Sequence, residues 1–344
     1  MGRRQFEEGW RRSTSLRKLA NPGNGGTRMI VNSPTKADFE KVAKENLTQA
    51  FNLLFKVYDN YIDHDDEVIR EEVPIDEIWS HHHGTIRTAL ILLHQAIESL
   101  MKGVICETSP LLLIDKPRKD WPSLPTAEDK DFDSLYTIGG EALLTTFCAV
   151  HSTIERNSEL INFIEGIRQK RNQAIHGTNI KDVEPTYIIE NVLTTFTIWF
   201  GKDSWHKELK NNLLQNPLFG YFDADYESAI SYKFLDFALL LLGKATLSHH
   251  LSINLKNRSY FCPECKRGIE RDYGTLKSKW AFLRPNEPTA TSISCLNCHQ
   301  VFDVVREKCN INGCKGNVLY DDPEWTGAKI CLTCYEQHDY EDES

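Results

Sequence analysis

The chain has 344 residues, of which 40% are hydrophobic, and this is enough apolar material for one large domain or two to three smaller ones. Its formal net charge is −9. This acidic balance argues against a protein that coats nucleic acid by bulk charge, although it leaves room for a local basic cleft.

The N-terminal residues 1–33 contain several arginines and the run NPGNGG but few apolar positions, so we predict a flexible arm. The arm lacks the apolar run of a secretory signal. The most apolar run of the chain, at 237–243, is too short to span a membrane. The sequence therefore predicts a cytoplasmic protein without membrane association.

Apolar residues recur at helical spacing through most of residues 34–252, with little of the alternation typical of strands. The most apolar segment, 86–105, is expected to be a central core helix. A polar, proline-rich loop is expected at 114–135. Further helices are predicted at 37–62, 158–176, 187–200 and 226–247, with another starting near 137. We therefore predict a mainly α protein with an all-helical domain at 34–252.

Eight of the ten cysteines lie after residue 260, where turns and short β-prone runs replace the helical pattern. They form four close pairs, and two such turns supply the four thiolates of a tetrahedral zinc site. We predict a small β-rich zinc-ribbon module at 253–335 with two structural zinc ions. Sequential pairing gives the sets Cys262, Cys265, Cys295, Cys298 and Cys309, Cys314, Cys331, Cys334. A cross-braced pairing of the first turn with the third is the alternative.

The remaining cysteines and a histidine run have structural interpretations. Cys106 and Cys148 fall within apolar helical segments and are predicted to be small buried core residues. The histidines at 81–83 are predicted to lie in an exposed loop rather than in a metal site. The acidic residues 336–344 are predicted to be a disordered tail.

The segment between the first two cysteine pairs interleaves cations with aromatic side chains. Cations bind phosphates and aromatic faces stack on bases, so this composition suits single-stranded nucleic acid. A β-hairpin with a solvated charged face and core aromatics is an equal alternative. The candidate nucleic-acid-binding residues are Lys266, Arg267, Arg271, Tyr273, Lys277, Lys279, Trp280 and Arg284.

The run RNQAIHG places a cation, an amide and an imidazole at the end of the helix predicted at 158–176. Arg171 continues an apolar stripe, a position that a purely solvated arginine has no reason to occupy. Asn172 and His176 share one face by their i, i+4 spacing, and Gly177 suits a helix C-cap. Arg171 and His176 diverge on an ideal helix. Their convergence requires the long reach of the arginine, a frayed last turn or a second copy of the helix across a dimer axis.

Arg171, Asn172 and His176, in the order R-N-x3-H, resemble the R-x4-6-H motif of the HEPN domain, an all-α family. The upstream segment HQAIESLMKGVI resembles the long core helices of that family. TIGGEALLTTF resembles the segment that often precedes its third helix. The resemblance covers roughly residues 36–201 and leaves the later helices and the cysteine module outside it.

The resemblance implies a homodimeric, metal-independent endoribonuclease in which two copies of the motif face one cleft. His176 would exchange a proton with the 2′-OH or the leaving 5′-oxygen, Arg171 would hold the scissile phosphate, and Asn172 would orient the phosphate or the imidazole. The implied products are a 2′,3′-cyclic phosphate and a 5′-OH. Analogy with other HEPN proteins adds a toxin or phage-defence setting, with an antitoxin or defence-system partner.

Two other functions are compatible with the sequence. One is a non-catalytic helical dimerisation or binding protein whose zinc ribbons recognise nucleic acid or a protein, in which case an acidic partner in the same chain would hold Arg171. The other, a zinc-dependent enzyme, is weaker because four thiolates leave no position open to water. The sequence contains no P-loop, no dinucleotide-binding glycine turn and no H-E-x-x-H motif.

Overall fold

The computed structural model describes residues 30–63, 72–115, 121–122, 128–151, 158–176, 183–215, 217, 224–322 and 328–339. These residues form a mainly helical protein with a small strand-rich C-terminal region, as predicted. The described helices are α1 (Lys36–Ile62), α2 (Ile75–His81), α3 (His83–Thr108), α4 (Gly140–Val150), α5 (Glu159–His176), α6 (Pro185–Phe200), α7 (Ser204–Leu214), α8 (Ala224–His249) and α9 (Pro263–Asp272). The described strands are β1 (Ile30–Val31), β2 (Lys130–Asp131), β3 (Ser259–Tyr260), β4 (Ala281–Leu283), β5 (Ser292–Cys295), β6 (Val301–Asp303), β7 (Leu319–Asp321), β8 (Ala328–Cys331) and β9 (Gln337–Asp339).

Two long helices of the core, α1 and α3, pack along each other. A capping box starts α1: the Thr35 side chain accepts a hydrogen bond from the Asp38 amide, and the Asp38 carboxylate accepts one from the Thr35 amide at 2.8 Å. The exchange satisfies two amides that a helix N-terminus otherwise leaves unpaired. The face of α1 that includes Leu47 and Leu54 is fully buried, which fits the predicted helical stripe.

The helices after residue 203 share the core with α1. Phe51 of α1 meets Phe234 and Phe237 of α8 edge to face, with ring centroids 5.6 Å apart in each pair. Trp205 of α7 lies 6.0 Å from the same ring and is completely buried. Edge-to-face pairs add to the free energy gained by aromatic burial. These helices therefore complete the helical body.

The chain divides into two compact units, and one of them interrupts the predicted helical domain. Among the described residues, this unit contains 30–34, 114–115, 121–122 and 128–138. It holds the parallel pair of β1 and β2, in which Ile30 lies opposite Lys130. The second unit, 35–113 with 139–344, holds the helices and both C-terminal sheets. The predicted boundaries of 34–252 thus enclose a segment that packs separately.

The cysteine module contains two antiparallel sheets, with strand orders β3-β4-β5-β6 and β7-β8-β9. Strand β9 falls within the segment predicted to be an acidic tail, because Gln337 pairs with Ile330 of β8. Helix α9 was not predicted; it starts at Pro263, whose fixed φ and missing amide suit a first helical turn. Residues 340–344 lie outside the described part of the chain.

Helix α3 is long and apolar enough to cross a membrane, which corrects the expectation that every apolar run is too short. Most of it is buried, however: 61% of its most apolar window lies inside the structure, as expected for the core helix of a soluble protein. The predicted role of 86–105 as a central core helix agrees with this burial.

Three smaller expectations have mixed outcomes. Cys106 is buried, as predicted, whereas Cys148 is exposed because it lies on the solvent side of α4. The histidines at 81–83 lie at the junction of α2 and α3 rather than in a loop, and only the first is fully exposed. The predicted N-terminal arm lies outside the described residues up to position 29.

Candidate functional site

Helix α5 carries the R-N-x3-H residues and ends at His176, in the predicted last turn. Arg171 is half-buried on the packed side of the helix, near the buried residues Ile167 and Ala174. His176 is exposed to solvent. Five residues of helix turn the chain by roughly 500°, so the two side chains point about 140° apart. Gly177, the predicted C-cap, lies outside the described residues.

The guanidinium of Arg171 has few partners in the described part of the chain. Its Nη1 donates to Asn172 Oδ1 at 3.0 Å, while its buried Nε has no hydrogen-bond partner there. No described carboxylate lies within ion-pair distance of it. One turn earlier, Arg168 is fully engaged: its Nε and Nη2 donate to the Glu165 carboxylate at 2.6 and 2.7 Å. The two arginines of α5 therefore differ in charge compensation.

His94 of α3 lies close enough to Arg171 for the charge of the arginine to affect its pKa, and the sequence analysis did not select it. Burial lowers the pKa of His94; Glu98 acts in the opposite direction, and the positive charges of Arg171 and Arg168 lower the pKa further. Its Nδ1 lies 3.9 Å from Glu98 Oε2, too far for a hydrogen bond. The sequence could have indicated His94 by its position inside the predicted core helix, because a polar side chain at a buried position is uncommon and needs an explanation.

The eight C-terminal cysteines form two clusters with the sequential pairing. In each cluster the four sulfurs lie within 4.8 Å of one another. The Sγ–Sγ distances are 3.7 Å for Cys262–Cys298 and 3.9 Å for Cys314–Cys331. A tetrahedral zinc ion with Zn–S bonds of about 2.3 Å requires edges of about 3.8 Å. Both clusters thus fit a four-thiolate metal site.

The second turn of each cluster has the same backbone geometry. In the first cluster, His299 N donates to Cys295 O at 3.0 Å; in the second, Tyr335 N donates to Cys331 O at 2.6 Å. Both His299 and Tyr335 have positive φ, 61° and 67°. In L-residues this left-handed conformation is uncommon and lets the chain reverse directly after the second sulfur. The two turns are therefore structural copies with different side chains.

The first cluster is attached to the helical body. Asn297, inside the turn between Cys295 and Cys298, is completely buried, and its Nδ2 donates to Ser228 Oγ of α8 at 2.7 Å. Lys210 of α7 donates to Asn297 O at 3.0 Å. These bonds tie the cysteine turn to two core helices.

The second cluster is attached to the first and to strand β9. Tyr335 Oη donates to Pro263 O at 2.9 Å, and Phe261 N donates to Leu332 O at the same distance. His338 of β9 is buried, with its Nε2 3.2 Å from Cys309 Sγ. A ring nitrogen at this distance can donate to a metal-bound thiolate and steady it. The sequence analysis missed His338 because it was assigned to the tail.

Two of the predicted nucleic-acid-binding lysines are built into the module. Lys266 is buried, and its Nζ donates to Glu270 Oε1 at 2.6 Å and to Leu276 O at 3.1 Å. The same ammonium lies 4.3 Å from the centre of the Phe261 ring. Lys279 Nζ donates to a backbone carbonyl at 2.6 Å and lies 4.6 Å from the centre of the same Phe261 ring. Both ammonium groups therefore already have interaction partners within the chain.

Other members of the predicted surface are also engaged internally. Arg267 pairs with Asp322, and Arg271 pairs with Asp225 of α8 at 2.6 Å. Trp280 is buried, so it cannot stack on a base, and its Nε1 donates to a carboxylate of α8 at 2.8 Å. Tyr273, Lys277 and Arg284 are exposed, and so is Arg271 despite its ion pair. The geometry thus favours the structural interpretation for most of this set.

Comparison of the chain with models of known protein families, with curated proteins and with solved structures found no match.

Proposed function

We propose that the protein is a HEPN-type endoribonuclease that cleaves RNA without a catalytic metal, through Arg171, Asn172 and His176. The observation that carries this proposal is the charge of Arg171. It is half-buried on a packed helix face, and no carboxylate among the described residues neutralises it. A partly desolvated cation of this kind is suited to a phosphate, which it binds in a bidentate manner.

The chemistry follows from the residue types. One His176 imidazole takes the proton of the 2′-OH, the 2′-oxygen bonds to phosphorus, and the bond to the 5′-oxygen breaks. A second, protonated His176 returns a proton to that 5′-oxygen. Arg171 offsets the charge that develops on the phosphate oxygens, and Asn172 holds the guanidinium in place. The products are a 2′,3′-cyclic phosphate and a 5′-OH.

A dimer supplies the geometry that one chain lacks. Within one chain Arg171 lies against the core and His176 points into solvent, so a second copy is needed to bring an imidazole to each phosphate. Ile175, beside His176, is 40% exposed and offers apolar contact area at the same helix end. We therefore propose a homodimer that works in the cytoplasm, with a role in toxin or phage-defence systems by analogy.

The two four-cysteine clusters hold structural zinc in this proposal. Each offers four thiolates, which fill a tetrahedral zinc and leave no position for water or substrate. The first cluster is bonded to α7 and α8, so the zinc module braces the helical body rather than performing the reaction. Reduced cysteines are expected in the cytoplasm.

The test is cleavage of mixed RNA by the wild-type protein and by His176→Ala, in the presence of a chelator for Mg²⁺. We expect wild-type products with 2′,3′-cyclic phosphate ends and a loss of at least about 100-fold in rate for the variant, the usual contribution of a general acid or base. Cleavage that persists in His176→Ala contradicts the proposal.

His249→Ala is the matched control, because His249 is also an exposed histidine at the end of a helix. It is expected to keep wild-type activity and thermal stability. Equal losses in both variants would trace the activity to a contaminant or to general destabilisation.

A second candidate function is a non-catalytic binding protein in which the zinc module recognises a partner. The divergence of Arg171 and His176 in a single chain favours it. It predicts no cleavage at any protein concentration, whereas a dimeric nuclease should gain specific activity as concentration rises through the dimer dissociation constant.

A further inference from the structure

Polar side chains lie in a row on one face of α3. His83, Arg87 and His94 are spaced by four and seven residues, so at 3.6 residues per turn they fall within an arc of about 40°. Each has a buried nitrogen without a hydrogen-bond partner among the described residues: His83 Nδ1, Arg87 Nε and His94 Nδ1. Arg171 Nε on α5 is a fourth such atom. We call these four residues the polar row.

A buried polar atom without a partner costs about 1–3 kcal/mol, and native proteins keep few of them. Four in one row on two facing helices are therefore unlike ordinary packing. No ion pair or hydrogen bond of Arg87 occurs within the described part of the chain. A ligand with several acceptor oxygens would satisfy these donors.

Helices α3 and α5 run antiparallel. Leu160, near the start of α5, lines a cavity together with Val104, near the end of α3. Further along, Arg171 of α5 lies close enough to His94 of α3 to affect its pKa.

The same alignment brings His176 to the level of Arg87. From Arg171 to His176 the helix rises about 7.5 Å, and from His94 back to Arg87 it covers about 10.5 Å. Arg87 therefore lies at the end of the helix pair where α5 ends and the exposed imidazole of His176 lies. At this end His83 lines an open cavity of about 540 Å³ beside the start of α6, together with Asp76 and Glu184.

We propose that Arg87 binds a phosphate of the RNA chain next to the phosphate held by Arg171, and that His83 and His94 line the same anion-binding row. This inference rests on the proposed function for its ligand, a single-stranded RNA. An arginine fork matches phosphate geometry, and successive phosphates of one strand match a row of donors better than a single anion does.

The test measures binding rather than cleavage. In the full-length His176→Ala protein, the dissociation constant of a fluorescent single-stranded RNA is measured against salt concentration, with and without Arg87→Gln. We expect Arg87→Gln to bind about tenfold more weakly, as for loss of one charged hydrogen bond. The plot of log K against log salt should become shallower by about 0.7, because one phosphate contact is lost.

Arg168→Gln is the matched control, since its guanidinium is already paired with Glu165. It should leave both affinity and salt slope unchanged. Arg87→Gln should also melt at the same temperature as its parent or higher, because it removes an unpaired charge. An unchanged salt slope for Arg87→Gln overturns the inference, and so does weaker binding accompanied by a lower melting temperature.

The outcome of this binding test can be distinguished from the outcome of the cleavage test of the proposed function. If the wild-type protein cleaves nothing but Arg87→Gln still weakens RNA binding and flattens the salt slope, the polar row stands and the nuclease proposal fails. If the wild-type protein cleaves RNA and Arg87→Gln binds as its parent does, the nuclease proposal stands and the row fails.

Discussion

The cysteine module and the α3–α5 helix pair differ in whether their cationic side chains are paired with carboxylates. In the module, Lys266, Arg267 and Arg271 each have an acidic partner within ion-pair distance. In the helix pair, Arg87 and Arg171 keep buried nitrogens with no partner among the described residues. Both regions contain several cations, but the helix pair leaves two of its arginines without a carboxylate partner among the described residues, although Arg168 is paired with Glu165.

This difference in pairing distinguishes cations that stabilise the fold from cations that are available to bind a ligand. A paired, buried cation is costly to remove, because its partner is left behind. An unpaired one contributes little to folding and can be lost with small or favourable effect. The contrast therefore predicts which substitutions change stability and which change binding.

The largest effect is expected when the thiolate clusters are broken. Cys295→Ala removes one of four ligands at the cluster bonded to α7 and α8, and structural zinc sites contribute roughly 10 kcal/mol or more to folding. We expect loss of one of two bound zinc equivalents and unfolding of the module, measured by metal analysis and hydrogen exchange. Cys148→Ala, at an exposed cysteine outside both clusters, is the control. Two zinc equivalents retained in Cys295→Ala would contradict the assignment.

A smaller effect tests the contrast directly. Lys266→Met removes the ammonium from the Glu270 carboxylate and from a backbone carbonyl, so it should lower the free energy of unfolding by about 2–3 kcal/mol. Arg171→Met removes an uncompensated charge and should change it by less than about 0.5 kcal/mol. Urea denaturation of the zinc-loaded proteins measures both. The reverse order would show that the helix pair, not the module, uses its cations structurally.

The third prediction concerns pH and residues of the helical body. Burial lowers the pKa of His250 from 6.5 to about 4, and His250 Nδ1 lies 3.0 Å from Thr197 Oγ1. Because the unfolded chain binds a proton that the folded protein excludes, stability is complete above pH 6.5 and falls as the pH drops towards 4. Between pH 7 and pH 5 the loss is about 2 kcal/mol.

His250→Asn keeps a side-chain N–H donor but cannot titrate, so its unfolding free energy should fall less than that of the wild type between pH 7 and pH 5. The exposed neighbour offers a control: His249→Asn should follow the wild-type profile. Identical pH profiles for wild type and His250→Asn would show that this imidazole does not limit stability in acid.

Periodicity was sufficient to predict the helical body, because apolar stripes such as that of α1 are buried continuously. It could not place 114–138 in a separate unit, since a two-residue parallel pair depends on contacts between distant segments. Helix α9 and strand β9 were missed for a related reason. Both are short, and both are fixed by neighbours of the cysteine clusters rather than by their own pattern.

Cysteine spacing predicted the two four-thiolate groups well, because ligand chemistry constrains residue type strongly. Their pairing was left open until the fold brought the sulfurs together. The interleaved cations of the module were misleading, since residue type cannot show whether an intrachain carboxylate lies nearby. Arg171 was found from its place on an apolar stripe, but Arg87 and His94 lie on another helix. Their relation to it depends on helix packing.

The two copied turns have a mechanical consequence. His299 of the first turn lies against His206 of α7, with ring centres 5.9 Å apart, whereas Tyr335 of the second turn bonds to Pro263 of the module. The body, the first cluster and the second cluster are thus joined in series. Under a pulling force applied from strand β9, we expect two successive rupture events, with the second cluster opening while the first still holds to the helices.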